Sequence, residues 1–168
     1  MSASRLDLGG SDIDRSRPLS FTFDGRRIEG FAGDTIASAL LASGRPIVGR
    51  SFKYHRPRGI WGAGVEEPNA LVDVEGAQGR VPNARATTER ALDGLIVKSV
   101  NASPSAAADR NAFLDRFARF IPAAFYYKTF MWPDWLLFEP RIRAMAGLGT
   151  VDPDWRPLPA ADQINHHC

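Results

Sequence analysis

The sequence has 168 residues, 44% of them hydrophobic, which suits one domain with a core plus an additional segment. A net charge of +2 is too small to indicate nucleic-acid binding, and a single cysteine, Cys168, excludes an intramolecular disulfide and favours a reducing, cytoplasmic compartment. The amino-terminal residues lack the apolar core of a secretory signal, and no run reaches the roughly 18 apolar residues of a membrane-spanning helix.

The chain begins with a polar segment and a predicted β-hairpin. Residues 1–17 are rich in Gly, Ser, Asp and Arg, which predicts a flexible arm. Leu19–Phe23 and Arg27–Phe31 are rich in strand formers, and the Asp24-Gly25 pair between them is typical of a hairpin turn. Because the apolar residues of the second segment do not share one parity, a β-bulge near Gly30 is expected.

A short helix is predicted after the hairpin. Asp34 is placed to cap its first turn, and Ile36, Leu40 and Leu41 recur at helical spacing. Gly44 fits the position just past the helix end, where a left-handed residue is common. A hairpin followed by a helix is the opening of a β-grasp domain.

The segment Arg50–Asp73 has too many Gly and Pro residues for a helix and too many aromatics for a disordered linker. It is predicted to form a long ordered loop, which usually has a functional reason. Its basic residues form either a solvated loop or a patch for an anionic partner or a flavin; the candidates are Arg50, Lys53, Arg56 and Arg58. His55 lies among them, but no nucleophile or orienting partner accompanies it, so a catalytic base is not indicated.

Further strands follow this loop. Ala70–Val74 alternates, Gly79–Pro82 is expected to pair back as an edge strand, and Leu95–Val100 is almost continuously apolar. Within the loop, the paired carboxylates Glu66 and Glu67 are expected to have a structural role, on loop amides or a neighbouring Arg. About five strands around one helix indicate an α+β domain over residues 18–104.

The composition changes after residue 104. Residues 106–120 carry apolar residues at helical spacing, and the following residues are strongly aromatic as far as Phe138. Pro122, Pro133 and Pro140 are predicted to divide this part into short helices, so that residues 105–150 form an aromatic-rich helical appendage. Its aromatic residues form either an ordinary core or an interface with a partner.

The carboxyl-terminal residues 151–168 read as an extended connector. The adjacent residues His166, His167 and Cys168 cannot easily converge on one tetrahedral ion, so no metal site is predicted there. A glycine fingerprint for a dinucleotide is also missing, because Gly62-Ala63-Gly64 lacks the third glycine and precedes a strand rather than following one.

Three motifs carry a family resemblance. The segments Arg58-Gly59, Glu66–Leu71 and Asp93–Leu95 resemble the amino-terminal part of the alpha subunit of heterotetrameric sarcosine oxidase, and the likeness covers roughly residues 18–165. It implies a β-grasp domain of the [2Fe–2S] ferredoxin type. The C-x4-C-x2-C pattern and its later fourth Cys then correspond to Gly62, Glu67, Ala70 and Thr87, so every ligand position lacks a thiolate.

The resemblance implies a function for the chain. It is expected to be a non-catalytic structural module of a heterotetrameric flavoprotein complex that demethylates sarcosine, with FAD, FMN, NAD and tetrahydrofolate bound by other domains or subunits. The connector at residues 151–168 is expected to lead toward a dinucleotide-binding domain that the sequence does not contain. The alternatives are an electron-transfer protein with a cluster ligated in trans or by groups other than Cys, and a flavin- or anion-binding module.

Overall fold

The computed structural model describes residues 5–7, 9–77, 79–120, 132–145, 149 and 151–156. The strands are β1 (Asp14–Phe23), β2 (Arg26–Ala32), β3 (Gly49–Arg50), β4 (Pro57–Arg58), β5 (Leu71–Gly76), β6 (Gly79–Arg85) and β7 (Ile96–Ser99). The helices are α1 (Ile36–Ala42), a 3₁₀ helix (Arg110–Phe120) and α2 (Trp135–Met145).

The main sheet has five strands in the order β2-β1-β7-β5-β6, and β3 pairs with β4 in a separate ribbon. Strand β1 runs parallel to β7 in the middle of the sheet, and the other pairings are antiparallel. Helix α1 packs against β2 and contributes Ile36 and Leu40 to the core. Strands β1 and β2 form one hairpin and β5 and β6 form another, and β7 lies between them, parallel to β1 and antiparallel to β5. With α1 packed on the sheet, this is the predicted α+β, β-grasp architecture.

The first hairpin closes through Asp24 and Gly25, whose φ angles are +48° and +75°. Phe21 lies opposite Ile28, and both are buried. The predicted bulge near Gly30 is wrong, because the register shift falls in β1, between Asp14 and Pro18. The strand β2 therefore alternates without interruption, and Phe31 lies on the face opposite to Ile28.

The cap of α1 also differs from the prediction. The side chain of Thr35 accepts a hydrogen bond from the Ser38 N–H, and the Ser38 hydroxyl accepts one from the Thr35 N–H, forming a reciprocal capping box. Asp34 is therefore not the cap. The helix ends as predicted, with Gly44 at φ +68° directly after the Ser43 cap.

Asp34 is buried and instead holds the amino-terminal segment against the sheet. Its carboxylate accepts two hydrogen bonds from the Arg5 guanidinium, at 3.1 and 2.7 Å, and others from the Ser38 hydroxyl and the Phe31 N–H. The Arg5 guanidinium also lies 5.2 Å from the centre of the Phe31 ring. Strand β1 begins at Asp14, inside the range predicted as a flexible arm, and Asp14 pairs with Ala32 of β2.

The core extends beyond residue 104, where the domain boundary was predicted. Ala106 is fully buried in the main hydrophobic cluster. Its N–H donates to Asp24 Oδ2 at 2.8 Å, and its carbonyl accepts from Arg50 Nε at 2.7 Å. The first residues of the predicted appendage therefore belong to the packed domain.

The helical part matches the sequence expectation only coarsely. The predicted helix at residues 106–120 begins later, at Arg110, and has 3₁₀ geometry. Pro140 does not separate two helices, because α2 continues through it. Residues 121–131 and 157–168, which include much of the predicted aromatic tract and the His166–Cys168 end, lie outside the described residues. Among the described helices, none has the length and apolar character needed to cross a membrane.

Candidate functional site

The loop between β4 and β5 is wrapped around one carboxylate, that of Glu67. Its Oε2 atom accepts hydrogen bonds from the N–H groups of Trp61 and Gly62, each at 2.5 Å. Its Oε1 atom accepts from Asn69 at 2.7 Å and from Ala70 at 3.1 Å. The residue is only 1% exposed. Four backbone donors, from both sides of Glu67 in the chain, therefore surround a buried negative group.

The neighbouring carboxylate, Glu66, shapes the tip of the same loop from outside. Its Oε1 accepts hydrogen bonds from the N–H groups of Ala63 and Gly64, at 2.9 and 3.0 Å. A Cβ atom added at Gly62 would lie 2.7 Å from that oxygen, so glycine allows the close approach. The Thr87 hydroxyl donates to the Gly64 carbonyl at 2.7 Å and ties the tip to the strand side of the domain.

The electrostatics of Glu67 follow from these bonds. Burial raises the pKa of Glu67, but the hydrogen bonds from its four backbone donors outweigh burial, and the net pKa lies below its ordinary value. Backbone hydrogen bonds also lower the pKa of the exposed Glu66, against smaller opposing effects of desolvation and the Glu67 charge. The loop therefore favours two ionised carboxylates at neutral pH.

Three of the four positions that the sequence predicts to correspond to cluster ligands lie in this loop, and the fourth, Thr87, is hydrogen-bonded to it. The N–H groups of Gly62 and Ala70 both bind the Glu67 carboxylate, and Thr87 reaches the same loop through Gly64. The structural role predicted for the paired carboxylates is present, and the partners are loop amides. The burial of Glu67 at the centre of the loop could not be inferred from the sequence. Its predicted correspondence with the second cluster ligand is the one feature that could have singled it out.

The basic residues of the predicted anion patch do not converge on one point. Arg50 donates to the carbonyls of His55 and Ala106, and together with Arg58 it lines a surface cleft of about 210 Å³. The Lys53 ammonium and the Arg56 guanidinium each lie 4.9 Å from the centre of the ring of Tyr54, which is not among the cleft residues. The four cations thus form two pairs with different surroundings.

The basic loop instead holds the segment that follows the sheet. His55 Nδ1 lies 2.7 Å from Asp109 Oδ2, and both side chains are largely or fully buried. Asp109 Oδ1 also accepts hydrogen bonds from the N–H groups of Ser103 and Asn111. At the surface, Arg56 Nε lies 2.6 Å from Asp115 Oδ1. Sequence reasoning missed this clamp, which pairs the basic loop with two acidic residues more than fifty positions away.

A metal site needs several ligating side chains close together. Among the described residues, no three His, Cys, Asp or Glu side chains are grouped so that they could hold a metal. The site that the structure does build is the Glu67 loop, a closed arrangement of amides around a carboxylate.

The fold and the loop together define a class of protein. Residues 16–102, more than half of the chain, match the family described as 2Fe-2S iron-sulfur cluster binding domain, and the chain belongs to that family. The chain is 56% identical over 162 residues to the sarcosine oxidase subunit alpha of Rhizobium meliloti (strain 1021). That alignment covers 92% of this chain and 16% of the relative, and it confirms the resemblance expected from the sequence.

Two further relatives carry the same name. The sarcosine oxidase subunit alpha of Corynebacterium sp. (strain P-1) is 59% identical over 63 residues, which is 38% of this chain and 6% of that protein. The subunit alpha of Corynebacterium sp. (strain U-96) is 44% identical over 95 residues, which is 55% of this chain and 10% of that protein. The chain therefore spans less than a fifth of the length of the curated relatives it matches.

One solved structure shows a weaker likeness. It is L-proline dehydrogenase from P. horikoshii, with 23% identity and a TM-score of 0.39 over 51% of this chain and 16% of that chain. A likeness of this size supports no conclusion about the function of the present chain.

The residues of this chain do not fit the cluster after which the family is described. Iron–sulfur clusters of the ferredoxin type are held by four Cys thiolates. Gly62, Ala70 and Thr87 offer none, the Glu67 carboxylate is engaged by four amides, and the one cysteine of the sequence stands at position 168. No chemistry of this chain is therefore assigned to an iron–sulfur cluster.

Proposed function

We propose that this chain is a non-catalytic structural module of an amino-acid-oxidising flavoprotein complex of the sarcosine oxidase type. The observation that carries the proposal is the 56% identity to a sarcosine oxidase subunit alpha over 92% of this chain. Only about 8% of the chain lies outside that alignment, so most of the helical segment after the sheet is shared as well. The Glu67 loop supports a structural role, because it is closed on itself and presents no reactive group.

The surface that would contact the rest of the complex is carried by the 3₁₀ helix. Phe113, Phe117 and Phe120 are each more than half exposed, and the rings of the first two meet edge to face at 6.4 Å. Arg116 and Arg119 are exposed beside them. Clustered exposed aromatics favour burial against a partner, and the basic flank favours an acidic rim on it. The partner we propose is the remaining part of the alpha subunit, which in the relatives extends far beyond this region.

The activity of the complex follows from the relatives rather than from this chain. It would oxidatively demethylate sarcosine in the cytoplasm, with FAD, FMN, NAD and tetrahydrofolate held by other domains or subunits of a heterotetramer. No residue of this chain is assigned to catalysis. Its contribution would be to support contacts between the flavin-bearing parts.

Complementation in trans tests this proposal. The Rhizobium meliloti complex would be produced without the matching region of its alpha subunit, then mixed with this chain. Wild-type chain should co-elute with the complex and restore sarcosine oxidation. The double variant Phe113→Ser, Phe117→Ser should lose most of the binding, because it removes the apolar contact. Leu92→Ser is the matched control, since Leu92 is a similarly exposed apolar residue on a turn of the sheet domain.

Two results would reject the structural module. One is full assembly and activity of the shortened complex without this chain. The other is equal binding by the wild-type chain and the double Phe variant.

A flavin- or anion-binding role for the basic loop stays a second candidate. The observation favouring it is the cleft lined by both Arg50 and Arg58. Titration with FMN at low and high salt tests it, since binding through a phosphate should weaken with ionic strength. Equal affinity at both salt concentrations, or no binding, removes this candidate.

A further inference from the structure

We propose that the loop of residues 59–70 is an anion-binding nest whose ligand is the chain's own Glu67 carboxylate. The nest would accept a small free carboxylate, such as formate, once the Glu67 side chain is removed. This inference rests on the loop geometry and does not depend on the proposed complex.

The geometry meets the requirements of a built anion site. Both carboxylate oxygens are used, and each accepts two backbone N–H groups at 2.5–3.1 Å. Backbone N–H groups that converge on one point form a cavity suited to an anion. Glu67 is buried, so water cannot readily replace it, and removal of the carboxylate would leave several donors without a partner.

The position of Glu67 in the chain links this nest to the cluster loop of the family. In the correspondence predicted from the C-x4-C-x2-C pattern, Glu67 stands at the second ligand position. The first and third positions, Gly62 and Ala70, supply two of the four N–H donors to its carboxylate. One internal negative group therefore organises the chain segment on which three ligands of a cluster would otherwise lie. The carboxylate gives the loop a centre without a metal.

The neighbouring Glu66 provides a matched comparison within the same loop. It also accepts two backbone N–H groups, from Ala63 and Gly64, but it is exposed. Bulk water surrounds the exposed Glu66 carboxylate and can take its place at little cost, whereas the Glu67 carboxylate is buried away from bulk water in the folded chain. The proposal therefore predicts a large difference between two adjacent glutamates: Glu67 is buried with both oxygens engaged, whereas Glu66 is exposed with only Oε1 engaged by these N–H groups.

Amide hydrogen exchange on the full chain tests the proposal with Glu67→Ala, Glu67→Gln and Glu66→Ala. Exchange at residues 61, 62, 69 and 70 should rise about tenfold or more in both Glu67 variants, the loss expected for buried donors without partners. In Glu67→Gln, the amide NH₂ group would face donors instead of accepting from them. Glu66→Ala should leave these four amides unchanged. Sodium formate should restore protection in Glu67→Ala, and sodium chloride at the same ionic strength should not.

Unchanged exchange in the Glu67 variants, or equal effects of formate and chloride, would overturn the proposal. If the variants fail to fold, the wild-type chain still provides a test by amide NMR at falling pH. The four N–H resonances should move together with one midpoint as Glu67 is protonated. Glu66 also has a lowered pKa, but it binds the N–H groups of Ala63 and Gly64, which are not among the four. Independent movement of the four resonances would contradict a shared ligand.

Discussion

A buried carboxylate usually needs a cation beside it, and the two most buried acidic residues of this sheet domain meet the need in different ways. Asp34 is paired with the Arg5 guanidinium. The Glu67 carboxylate accepts its hydrogen bonds from four backbone N–H groups, and the Arg85 guanidinium binds the backbone carbonyl of Glu67 instead. Partial charges fixed by the loop conformation therefore replace a full charge, and the stability of the loop becomes linked to the ionisation of one residue.

This linkage leads to a prediction about pH. Because the hydrogen bonds hold the pKa of Glu67 below its ordinary value, the folded state binds its proton less tightly than the unfolded state. The stabilisation is therefore complete above the unfolded pKa of about 4.3 and is lost as the pH falls through the lower folded value. At pH 7, Glu67→Gln should lower the free energy of unfolding by roughly 1–3 kcal/mol, measured by urea denaturation.

The difference between the wild-type chain and Glu67→Gln should then shrink as the pH is lowered below about 4.3. Other carboxyl groups with lowered pKa values, such as those of Asp34 and Asp152, titrate in both proteins and cancel in the difference. A difference that is the same at pH 7 and at pH 3 would exclude Glu67 as the source of the linkage.

At this scale, the sequence predicted residue classes better than residue partners. Gly44 was predicted correctly, because a helix end followed by glycine has one common solution. Asp34 was assigned as the cap of α1, but Thr35 fills that position with Ser38, and Asp34 binds an arginine 29 positions earlier. Both Asp and Thr suit a cap locally, and only a contact distant in sequence decides between them.

At the scale of elements, the ribbon β3–β4 and its connecting residues act as a clamp on the chain that leaves the sheet. Arg50 binds the carbonyl of Ala106, His55 binds Asp109, and Arg56 binds Asp115. The loop that looked like an open basic patch is in large part a set of internal contacts. These contacts determine where the 3₁₀ helix, with its exposed aromatic residues, leaves the domain.

The two aspartates of this clamp should respond differently to substitution. Asp109→Ala removes a buried acceptor of three hydrogen bonds and should lower the free energy of unfolding by roughly 1–3 kcal/mol. Asp115→Ala removes a pair whose side chains are about half exposed, so the loss should stay below about 1 kcal/mol. Urea denaturation of both variants measures the difference. Equal losses would show that the buried contacts of Asp109 stabilise this junction no more than the exposed pair does.

The order of the main-sheet strands and of α1 along the chain could be predicted from the sequence, whereas the position of the bulge and the 3₁₀ geometry could not. The hairpin turn at Asp24-Gly25 and the apolar strand at β7 gave strong local signals. The bulge was placed near Gly30 rather than between Asp14 and Pro18, because parity alone does not identify which strand is shifted. The 3₁₀ geometry of Arg110–Phe120 is similarly hidden, since apolar spacing barely separates it from an α-helix.

For the whole molecule, the fold of a cluster-binding family persists without the ligands of the cluster. Residues 16–102 match that family, and the four positions that the sequence resemblance assigns to ligands, Gly62, Glu67, Ala70 and Thr87, carry no thiolate. This β-grasp domain has its own hydrophobic core, which includes Phe21, Leu40 and Val97, and it exceeds the size of about 40 residues below which a metal or disulfide is usually needed. Loss of the ligands is therefore compatible with a stable module.

The predicted correspondence of four positions with cluster ligands can be tested by introducing cysteines at those positions. The fourfold variant Gly62→Cys, Glu67→Cys, Ala70→Cys, Thr87→Cys should bind iron and sulfide on anaerobic reconstitution, because three of these positions lie in one loop and the Thr87 side chain is hydrogen-bonded to it. An added Cβ at Gly62 would meet only the flexible Glu66 side chain, which can move. The control carries four cysteines one position later, at Ala63, Pro68, Leu71 and Thr88, and should retain little iron. Equal iron content in the two variants would show that the predicted correspondence is wrong.

The most direct test of the account is the visible absorption spectrum of the wild-type chain after the same reconstitution and removal of unbound iron. We expect no cluster bands and no retained iron or sulfide, because Glu67 occupies the centre of the loop and no thiolate is available there. Stable [2Fe–2S] absorption from the wild-type chain, with stoichiometric iron, would contradict the account.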